Sequence, residues 1–220
     1  MSSKTAPPIL PASTGAESEA APRRRGRPAK SEQDSLRGEL IRKSAHLFRT
    51  QGYDNTTVRD IAAAAGIHSG SWFYHFKSKQ EILAAVMEHG MHESLARIEE
   101  IAPHTLPPRA ALHRLVEVHL HNVLAPNHDF IPVLLYEWRS LDQPSRERII
   151  KLKDRYEAVW DEVIDRLHTS GDWAMPTRFD RLLMFGALSW TAQWYKPGRT
   201  TLEDLAAQAV QFILRTPAKA

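Results

Sequence analysis

From Leu36 almost to the C-terminus, apolar residues recur three and four positions apart, which is the spacing of one face of an α-helix. Segment 142–171, DQPSRERIIKLKDRYEAVWDEVIDRLHTSG, shows this pattern over the greatest length, with its apolar residues on one side of a charged helix. No stretch alternates polar and apolar residues with period two, as a half-buried strand would. The sequence therefore predicts an all-α fold of about nine helices.

Turn and capping residues place the boundaries of these helices. Gly52 ends the first helix, Thr56 or Thr57 caps the second, and Ser78 caps a long helix that reaches about Ile101. The stretch APNHDFIP is predicted to be a break, because its two prolines interrupt the helical pattern. The other predicted helices are 57–64, 68–75, 107–124, 177–195 and 201–216.

The N-terminal part differs in composition and charge from the rest. Residues 1–33 are rich in Pro, Ala, Ser and Glu and are predicted to be a disordered arm. Residues 1–80 carry a net charge of +6 and residues 81–220 a net charge of −3, so an anionic partner is expected for the first third only. Basic residues in PRRRGRPAK are suited to a DNA minor groove and to phosphates. The arginines concerned are Arg23, Arg24, Arg25 and Arg27.

Several protein classes are disfavoured by what the sequence lacks. It contains no cysteine, which excludes disulfides and thiolate metal sites and fits a reducing cytoplasm. No apolar run approaches the ~18 residues that a membrane-spanning helix needs. The first residues lack the basic start and apolar core of a secretory signal. A cytoplasmic protein without membrane contact is therefore expected, and nothing in the sequence calls for a cofactor.

The run IAAAAGIHSGSWFYHF, residues 61–76, predicts a helix-turn-helix. Small alanine side chains allow two short helices to approach closely, and Gly66 permits the positive φ of a sharp turn. The second helix begins with His68, Ser69, Gly70 and Ser71, which are small or polar and suited to base edges in the major groove. The segment is therefore predicted to bind DNA.

The longer segment TTVRDIAAAAGIHSGSWFYHFKSKQEIL resembles the DNA-binding domain of TetR-type bacterial transcriptional regulators. The resemblance covers about sixty residues and implies domains at 34–94 for DNA binding, with the helix-turn-helix at 57–76, and at 95–220 for effector binding and dimerisation. It implies contacts to phosphates or bases from Thr57, Arg59, His68, Ser69, Gly70, Ser71, Tyr74, His75 and Lys79. Two departures are Phe73, where the family usually has Tyr, and Trp72, where it often has Leu or Ile.

A regulator of this type is expected to be a homodimer that binds a semi-palindromic operator in double-stranded DNA and responds to a small-molecule effector. The helices predicted at 177–195 and 201–216 would form the dimer interface. The segment from Gly186 onward, with its WYKPG, also resembles a branch that senses acyl-CoA thioesters, which implies an acyl-CoA or another hydrophobic acid derivative. Arg139 or His113 could meet an anionic group of the effector. Six aromatic residues are predicted to line the pocket: Phe130, Tyr136, Trp138, Trp160, Trp190 and Trp194.

Three other functions stay open at this point. A metal-responsive regulator could use nitrogen and oxygen ligands from two histidine-rich groups, although plain surface histidines explain them as well. These groups are Glu88, His89, His92 and Glu93, and His113, His119 and His121. An architectural DNA-binding protein would depend on its basic arm and show little sequence preference. Catalysis is disfavoured, because GIHSG has its serine in the wrong place for a hydrolase turn and no strand precedes it.

Overall fold

In the computed structural model, which describes residues 30–126, 128–173 and 179–214, those residues form nine α-helices and no strand. The helices are α1 (Lys30–Gln51), α2 (Val58–Ala64), α3 (Ser69–Trp72), α4 (Lys79–Ile101), α5 (Pro108–Leu124), α6 (Phe130–Tyr136), α7 (Gln143–Thr169), α8 (Asp180–Trp194) and α9 (Leu202–Ile213). Short 3-10 turns lie at Pro103–Thr105 and Trp138–Ser140. The predicted all-α fold is confirmed. None of the described helices is long and apolar enough to span a bilayer.

The ends of the helices differ from the predictions in two places. Helix α1 begins at Lys30, so the last four residues of the predicted disordered arm are helical. Arg23, Arg24, Arg25 and Arg27 lie outside the described residues. Helix α3 is shorter than the predicted 68–75, because a turn follows Trp72.

Helix α6 was not expected, since its segment was predicted to be a break. Its proline, Pro132, is the third residue of the helix. A backbone N–H in the first turn has no partner within the helix, so proline is tolerated there. Gly90 of α4 allows α6 to pack closely, because a Cβ at this position would lie 2.6 Å from Cβ of Phe130. Proline therefore begins this helix instead of preventing it.

Helix α4 is the central element of the fold, and α1, α5, α6 and α7 pack against it. Its buried residues belong to one hydrophobic core that also includes Trp72 and Phe76 beside the short helices and Trp160 in α7. The domain division expected at 94/95 falls inside this continuous helix. Helices α4 and α6 are therefore both packed against the N-terminal helix α1.

Polar contacts fasten both ends of α6 to the N-terminal helices. Asp129, just before α6, accepts a hydrogen bond from Arg49 Nη1 at 2.7 Å and lies 3.1 Å from Nδ1 of His46, and both of these residues are in α1. After α6, a carboxylate oxygen of Glu137 accepts a hydrogen bond from the backbone N–H of Tyr53 at 3.0 Å. Helix α6 thus joins α1 and the loop after it to the C-terminal bundle.

Candidate DNA-binding face, effector cavity and dimer face

Helix α2 starts with a reciprocal cap that settles which threonine begins it. Thr57 Oγ1 accepts a hydrogen bond from the backbone N–H of Asp60 at 3.2 Å, and a carboxylate oxygen of Asp60 accepts from the backbone N–H of Thr57 at 2.8 Å. These bonds satisfy amides at the helix N-terminus that have no partner within the helix. They also lower the pKa of Asp60, because Thr57 donates to its ionised form. Thr56 is buried instead and donates to the carbonyl of Gly52 at 2.8 Å.

Helix α2 ends in a turn that depends on glycine. The N–H of Ile67 donates to the carbonyl of Ala62 at 3.0 Å, and the N–H of Gly66 donates to that of Ala63 at 3.1 Å. These two bonds form a Schellman motif, which requires the left-handed conformation at its C′ residue. Gly66 supplies it with φ +65°. The predicted turn is thus present.

Residues at the start of α3 face solvent, whereas the aromatic residues that follow are divided between core and surface. His68, Ser69 and Gly70 are exposed, and Ser71 is half-buried. Trp72 is fully buried, with its ring centroid 5.4 Å from that of Phe76. The larger residue at 72 is therefore part of the core.

The remaining residues predicted to contact DNA also lie on this side of the helix-turn-helix. Tyr74 is 89% exposed and Phe73 is 63% exposed. Thr57 and Arg59 are exposed, and Arg59 has no ion-pair partner among the described residues. His75 is half-buried, and burial together with the charge of Arg37 lowers its pKa. These positions form a polar and aromatic surface around α3 that a DNA duplex could reach.

Lys79 has a structural role that the sequence did not indicate. Its ammonium donates to the carbonyls of Tyr53 at 2.7 Å and Thr56 at 3.0 Å, and it lies 4.1 Å from the centroid of the Tyr53 ring. The side chain therefore fastens the loop between α1 and α2 to the start of α4. Two carbonyls already occupy the ammonium, so contact of Lys79 with phosphate stays a prediction that this geometry does not favour.

A cavity of about 320 Å³ lies between α4, α5, α6, α7 and α8. Its wall is mostly apolar, with Met91, Ile131, Leu134, Leu182 and Phe185 among the lining residues. The volume falls within the usual range for small-molecule sites. Three of the lining residues, Ile131, Leu134 and Leu135, belong to α6, the helix that is fastened to α1.

His119 is the central polar residue of the cavity wall. Its Nδ1 lies 3.2 Å from the hydroxyl oxygen of Tyr156, and its Nε2 lies 3.3 Å from Oγ of Ser189. The ring stacks on Phe185 and meets Trp160 edge-on. Burial lowers the pKa of His119 to about 4 and raises the pKa of Tyr156, so both side chains are neutral at pH 7. Asn122 and Ser94 form a second polar pair in the wall. The amide of Asn122 donates a hydrogen bond to Oγ of Ser94 at 3.0 Å.

None of the six aromatic residues predicted for the pocket is among the residues that line this cavity. Phe130 and Trp160 are buried in the core on its outer side, and Trp138 is half-buried with the ammonium of Lys153 5.3 Å from its ring centroid. Tyr136, Trp190 and Trp194 are more than half exposed. Aromatic content identified large apolar residues, but it did not indicate which side of each helix faces the cavity. Arg139 and His113 do not line the cavity either.

Helices α8 and α9 carry large apolar side chains that are exposed in the described part of the chain. Leu183 is 71% exposed and Trp190 is 64% exposed on α8, and Phe212 of α9 is also largely exposed. A groove of about 410 Å³ between the two helices is lined by residues that include Trp194. Contiguous apolar surface of this kind marks an interaction site. It lies on the two helices that were predicted to form the dimer interface.

Among the described residues, no group of three or more His, Asp or Glu side chains is arranged to hold a metal ion. His89 lies 3.3 Å from Glu93, and His113 lies 3.4 Å from Glu117, each within one helix. His119 is separated from these pairs in the wall of the cavity. The predicted histidine groups are thus local pairs on helix surfaces, and the metal-responsive alternative has no support in the described part of the chain.

A helix-turn-helix with an exposed second helix, joined to a helical bundle that holds an apolar cavity, defines a ligand-responsive DNA-binding regulator. Two family models match the chain: "Bacterial regulatory proteins, tetR family" over residues 40–86, and "Tetracyclin repressor-like, C-terminal domain" over residues 105–216. The chain belongs to the TetR family of transcriptional regulators. Regulators of this family bind operator DNA as dimers and respond to small molecules.

Similar proteins span most of the chain. The HTH-type transcriptional repressor KstR2 of Rhodococcus jostii is 30% identical over 184 residues, which cover 81% of this chain and 89% of that protein. The fatty acid metabolism regulator protein of Bacillus subtilis is 24% identical over 155 residues, covering 70% of this chain and 79% of that protein. The crystal structure of superantigen PfiT has 38% sequence identity and a TM-score of 0.71, covering 84% of this chain and 98% of that one.

Proposed function

We propose that this chain is a homodimeric repressor that blocks transcription by binding a semi-palindromic operator and is released from it by a hydrophobic effector. DNA binding is assigned to residues 34–94, and effector binding and dimerisation to residues 95–220. The observation that carries the proposal is the exposed start of α3, held by the Gly66 turn and backed by the buried Trp72 and Phe76. In a dimer, two such helices would read half-sites one helical turn, ~34 Å, apart.

Each residue of the α3 surface is given a role by its position. His68, Ser69 and Gly70 are the exposed residues at the start of α3, so they are proposed to face base edges, together with Arg59. Four residues are proposed to contact the DNA backbone and so to position the protein on the duplex: Thr57, Ser71, Tyr74 and His75. The arginines of the N-terminal arm are proposed to add phosphate contacts in the minor groove. Lys79 is proposed to act mainly by holding the α1–α2 loop.

The cavity is proposed to bind an acyl-CoA thioester or a related hydrophobic acid derivative. Its apolar wall suits an acyl group or a ring system, and Lys153 places one cation in the lining for an anionic part of the molecule. Similarity to the fatty acid metabolism regulator protein supports an effector of this class. KstR2, the more similar relative, is a repressor, which supports repression.

Helix α6 is proposed to transmit effector binding to the DNA-binding helices. A ligand that fills the cavity presses on Ile131, Leu134 and Leu135, while Asp129 and Glu137 connect the two ends of the same helix to the N-terminal region. An effector shifts the equilibrium only if it binds one arrangement of α6 better than the other. The favoured arrangement would set the two α3 helices at a distance that no longer fits the operator.

Operator selection from random duplexes tests the DNA-binding proposal. At fixed salt, the selected duplex should bind 10³-fold or more tightly than random DNA. Ser69→Ala and Arg59→Ala should change which sequences are preferred, whereas removal of residues 1–29 should weaken all duplexes alike. Equal affinity for selected and random duplexes would reject specific readout and favour an architectural role.

A screen with the selected operator tests the effector proposal. Acyl-CoA thioesters of different acyl groups are added to the protein, and the melting temperature and the operator affinity are both measured. A ligand of the native state raises the melting temperature, and an effector also lowers operator affinity. Divalent metal ions serve as the comparison, and release by a metal ion alone would contradict the proposal.

A further inference from the structure

The polar part of the cavity wall is a relay of three side chains, Tyr156, His119 and Ser189. The two nitrogens of His119 lie within hydrogen-bond distance of the two hydroxyl oxygens, at 3.2 Å and 3.3 Å. Phe185 covers one face of the imidazole and Trp160 meets it edge-on, which holds the ring in this orientation. All three relay residues line the cavity.

The relay has one more hydrogen to donate than it has internal bonds. Neutral His119 carries one N–H, and the two hydroxyls carry one O–H each, so there are three donors. Only two bonds join the three side chains. The indole N–H of Trp160, which also interacts with the Tyr156 hydroxyl, is a further donor and offers no acceptor. One O–H, on Ser189 or on Tyr156 according to the tautomer of His119, therefore lacks an acceptor. A polar group withdrawn from water without a partner is costly, so an acceptor from a ligand would be stabilising there.

The charged side chains of the wall are engaged with other groups. Of the described residues that line the cavity, Lys153 and Glu157 are the charged ones. Lys153 points its ammonium toward Trp138, which does not line the cavity, and Glu157 pairs with Arg181. An anion buried beside His119 would receive no charge from the imidazole, which is neutral at pH 7. Arg181, beside Phe185, is already paired with Glu157 and Asp161.

We infer that the apolar body of the effector carries a neutral oxygen acceptor, such as a ketone, ester or hydroxyl oxygen, which accepts a hydrogen bond from the Tyr156–His119–Ser189 relay. This rests on the proposal that the cavity holds the effector. It adds that oxygenation of the hydrophobic group, and not its size alone, decides which compounds are sensed.

Three naphthalene derivatives of similar shape test this inference: 2-acetylnaphthalene, a ketone; 2-isopropylnaphthalene, its apolar counterpart; and 2-naphthoate, an anion. Their dissociation constants for the full-length protein are measured by equilibrium dialysis with chromatographic quantification. Loss of the hydroxyl that carries the free O–H, by Ser189→Ala or by Tyr156→Phe according to the tautomer of His119, should raise the constant for the ketone about fivefold, the worth of one hydrogen bond. The same variant should change the dissociation constant of the hydrocarbon less than twofold. Comparing the effect of one variant on the two ligands removes the contribution of their different hydrophobicity.

Thr191→Val is the matched control, because its hydroxyl lies on the same helix but donates to the carbonyl of Leu188 and does not line the cavity. It should change neither constant. Infrared spectroscopy of the wild type gives a second readout, since a hydrogen bond lowers the carbonyl stretching frequency of the bound ketone. The inference is overturned if neither Ser189→Ala nor Tyr156→Phe affects the ketone more than the hydrocarbon, by tighter binding of 2-naphthoate than of the ketone, by an unshifted carbonyl band, or by failure of all three compounds to bind.

These outcomes are independent of operator release. If the ketone binds through the relay but no ligand of the cavity changes operator affinity, the proposed function fails and the chemistry of the cavity stands. If acyl-CoA thioesters release the operator but binding of the ketone depends on neither Ser189 nor Tyr156, the effector site stands and the inference about oxygenation fails.

Discussion

Gly66 is the residue on which the shape of the helix-turn-helix depends most directly. A side chain there would be strained at φ +65° even though a Cβ would meet no atom within 4 Å. Gly66→Ala should therefore lower the free energy of unfolding by about 1 to 2 kcal/mol through backbone strain alone. Urea denaturation measures the change.

Gly70→Ala is the matched control for that substitution. Gly70 lies in α3, has no positive φ and also has open space around its Cβ position. Alanine is the better helix former, so this variant should be as stable as the wild type or up to about 1 kcal/mol more stable. If both variants behaved alike, the turn at Gly66 would not require glycine.

His119 is expected to make stability depend on pH. Its folded-state pKa is about 4, whereas an unfolded histidine titrates near 6.5. The unfolded chain therefore takes up the proton first as the pH falls below 6.5, and the free energy of unfolding falls with it until about pH 4. Between pH 7.5 and 4.5 this residue should account for a loss of about 2 to 3 kcal/mol.

The variant His119→Gln shows how much of the pH-dependent loss of stability comes from His119. His75, His121 and His128 also have lowered pKa values, so they add to the slope in wild type and variant alike. The loss of stability between pH 7.5 and 4.5, measured by urea denaturation, should be smaller in the variant by about 2 to 3 kcal/mol. Parallel curves would show that His119 is not held neutral by burial.

The sequence makes single residues predictable when their reason is local. Gly66 was expected in the turn because helix spacing and small residues on both sides are visible along the chain. The role of His119 was not expected, because its surroundings are formed by Tyr156 in α7 and by Phe185 and Ser189 in α8. Lys79 is a similar case, since the carbonyls it binds lie more than twenty positions earlier.

At the scale of elements, α6 shows why periodicity alone is insufficient. Seven residues with a proline read as a break, yet packing against α4 at Gly90 stabilises this short helix. Long helices such as α7 were predicted within a few residues, because many turns repeat the same pattern. A short helix depends on tertiary contacts, which a window of sequence does not contain.

The link between α6 and α1 leads to a prediction about effector response. Arg49→Gln removes the charged partner of Asp129 without touching the cavity or the α3 surface. Effector affinity should stay within twofold of wild type, while the factor by which the effector weakens operator binding should fall at least fivefold. Calorimetry with the effector and operator titrations with and without it provide the two measurements.

Arg148→Gln is the comparison for that experiment, because Arg148 pairs with Glu88 between α7 and α4 and does not contact α6. It should leave the effector response unchanged. A loss of response in both variants, or in neither, would show that the contact between Arg49 and Asp129 does not transmit the signal.

For the whole molecule, the sequence indicated a DNA-binding part and a C-terminal helical part, but not which residues line the cavity. The resemblance of residues 34–94 indicated the DNA-binding part, and the apolar character of α8 and α9 indicated the surface proposed for dimerisation. The residues that line the cavity were not indicated, because aromatic residues such as Trp160 fill the core around it while aliphatic residues line much of it. Which face of a helix meets a cavity depends on how several helices are arranged, and this information is not local.

The exposed apolar face of α8 and α9 gives the last prediction, which concerns assembly. Leu183→Arg places a charge on the apolar face, where it would be buried against the partner in a dimer, and burial of an unpaired charge is costly. Sedimentation should show a dimer for the wild type and a monomer for the variant, and operator affinity should fall at least a hundredfold because two half-sites are no longer bound together. Ile150→Arg, an exposed apolar residue of α7 away from this face, should remain dimeric and bind the operator normally. A dimeric Leu183→Arg variant with unchanged operator affinity would place the interface elsewhere on the molecule.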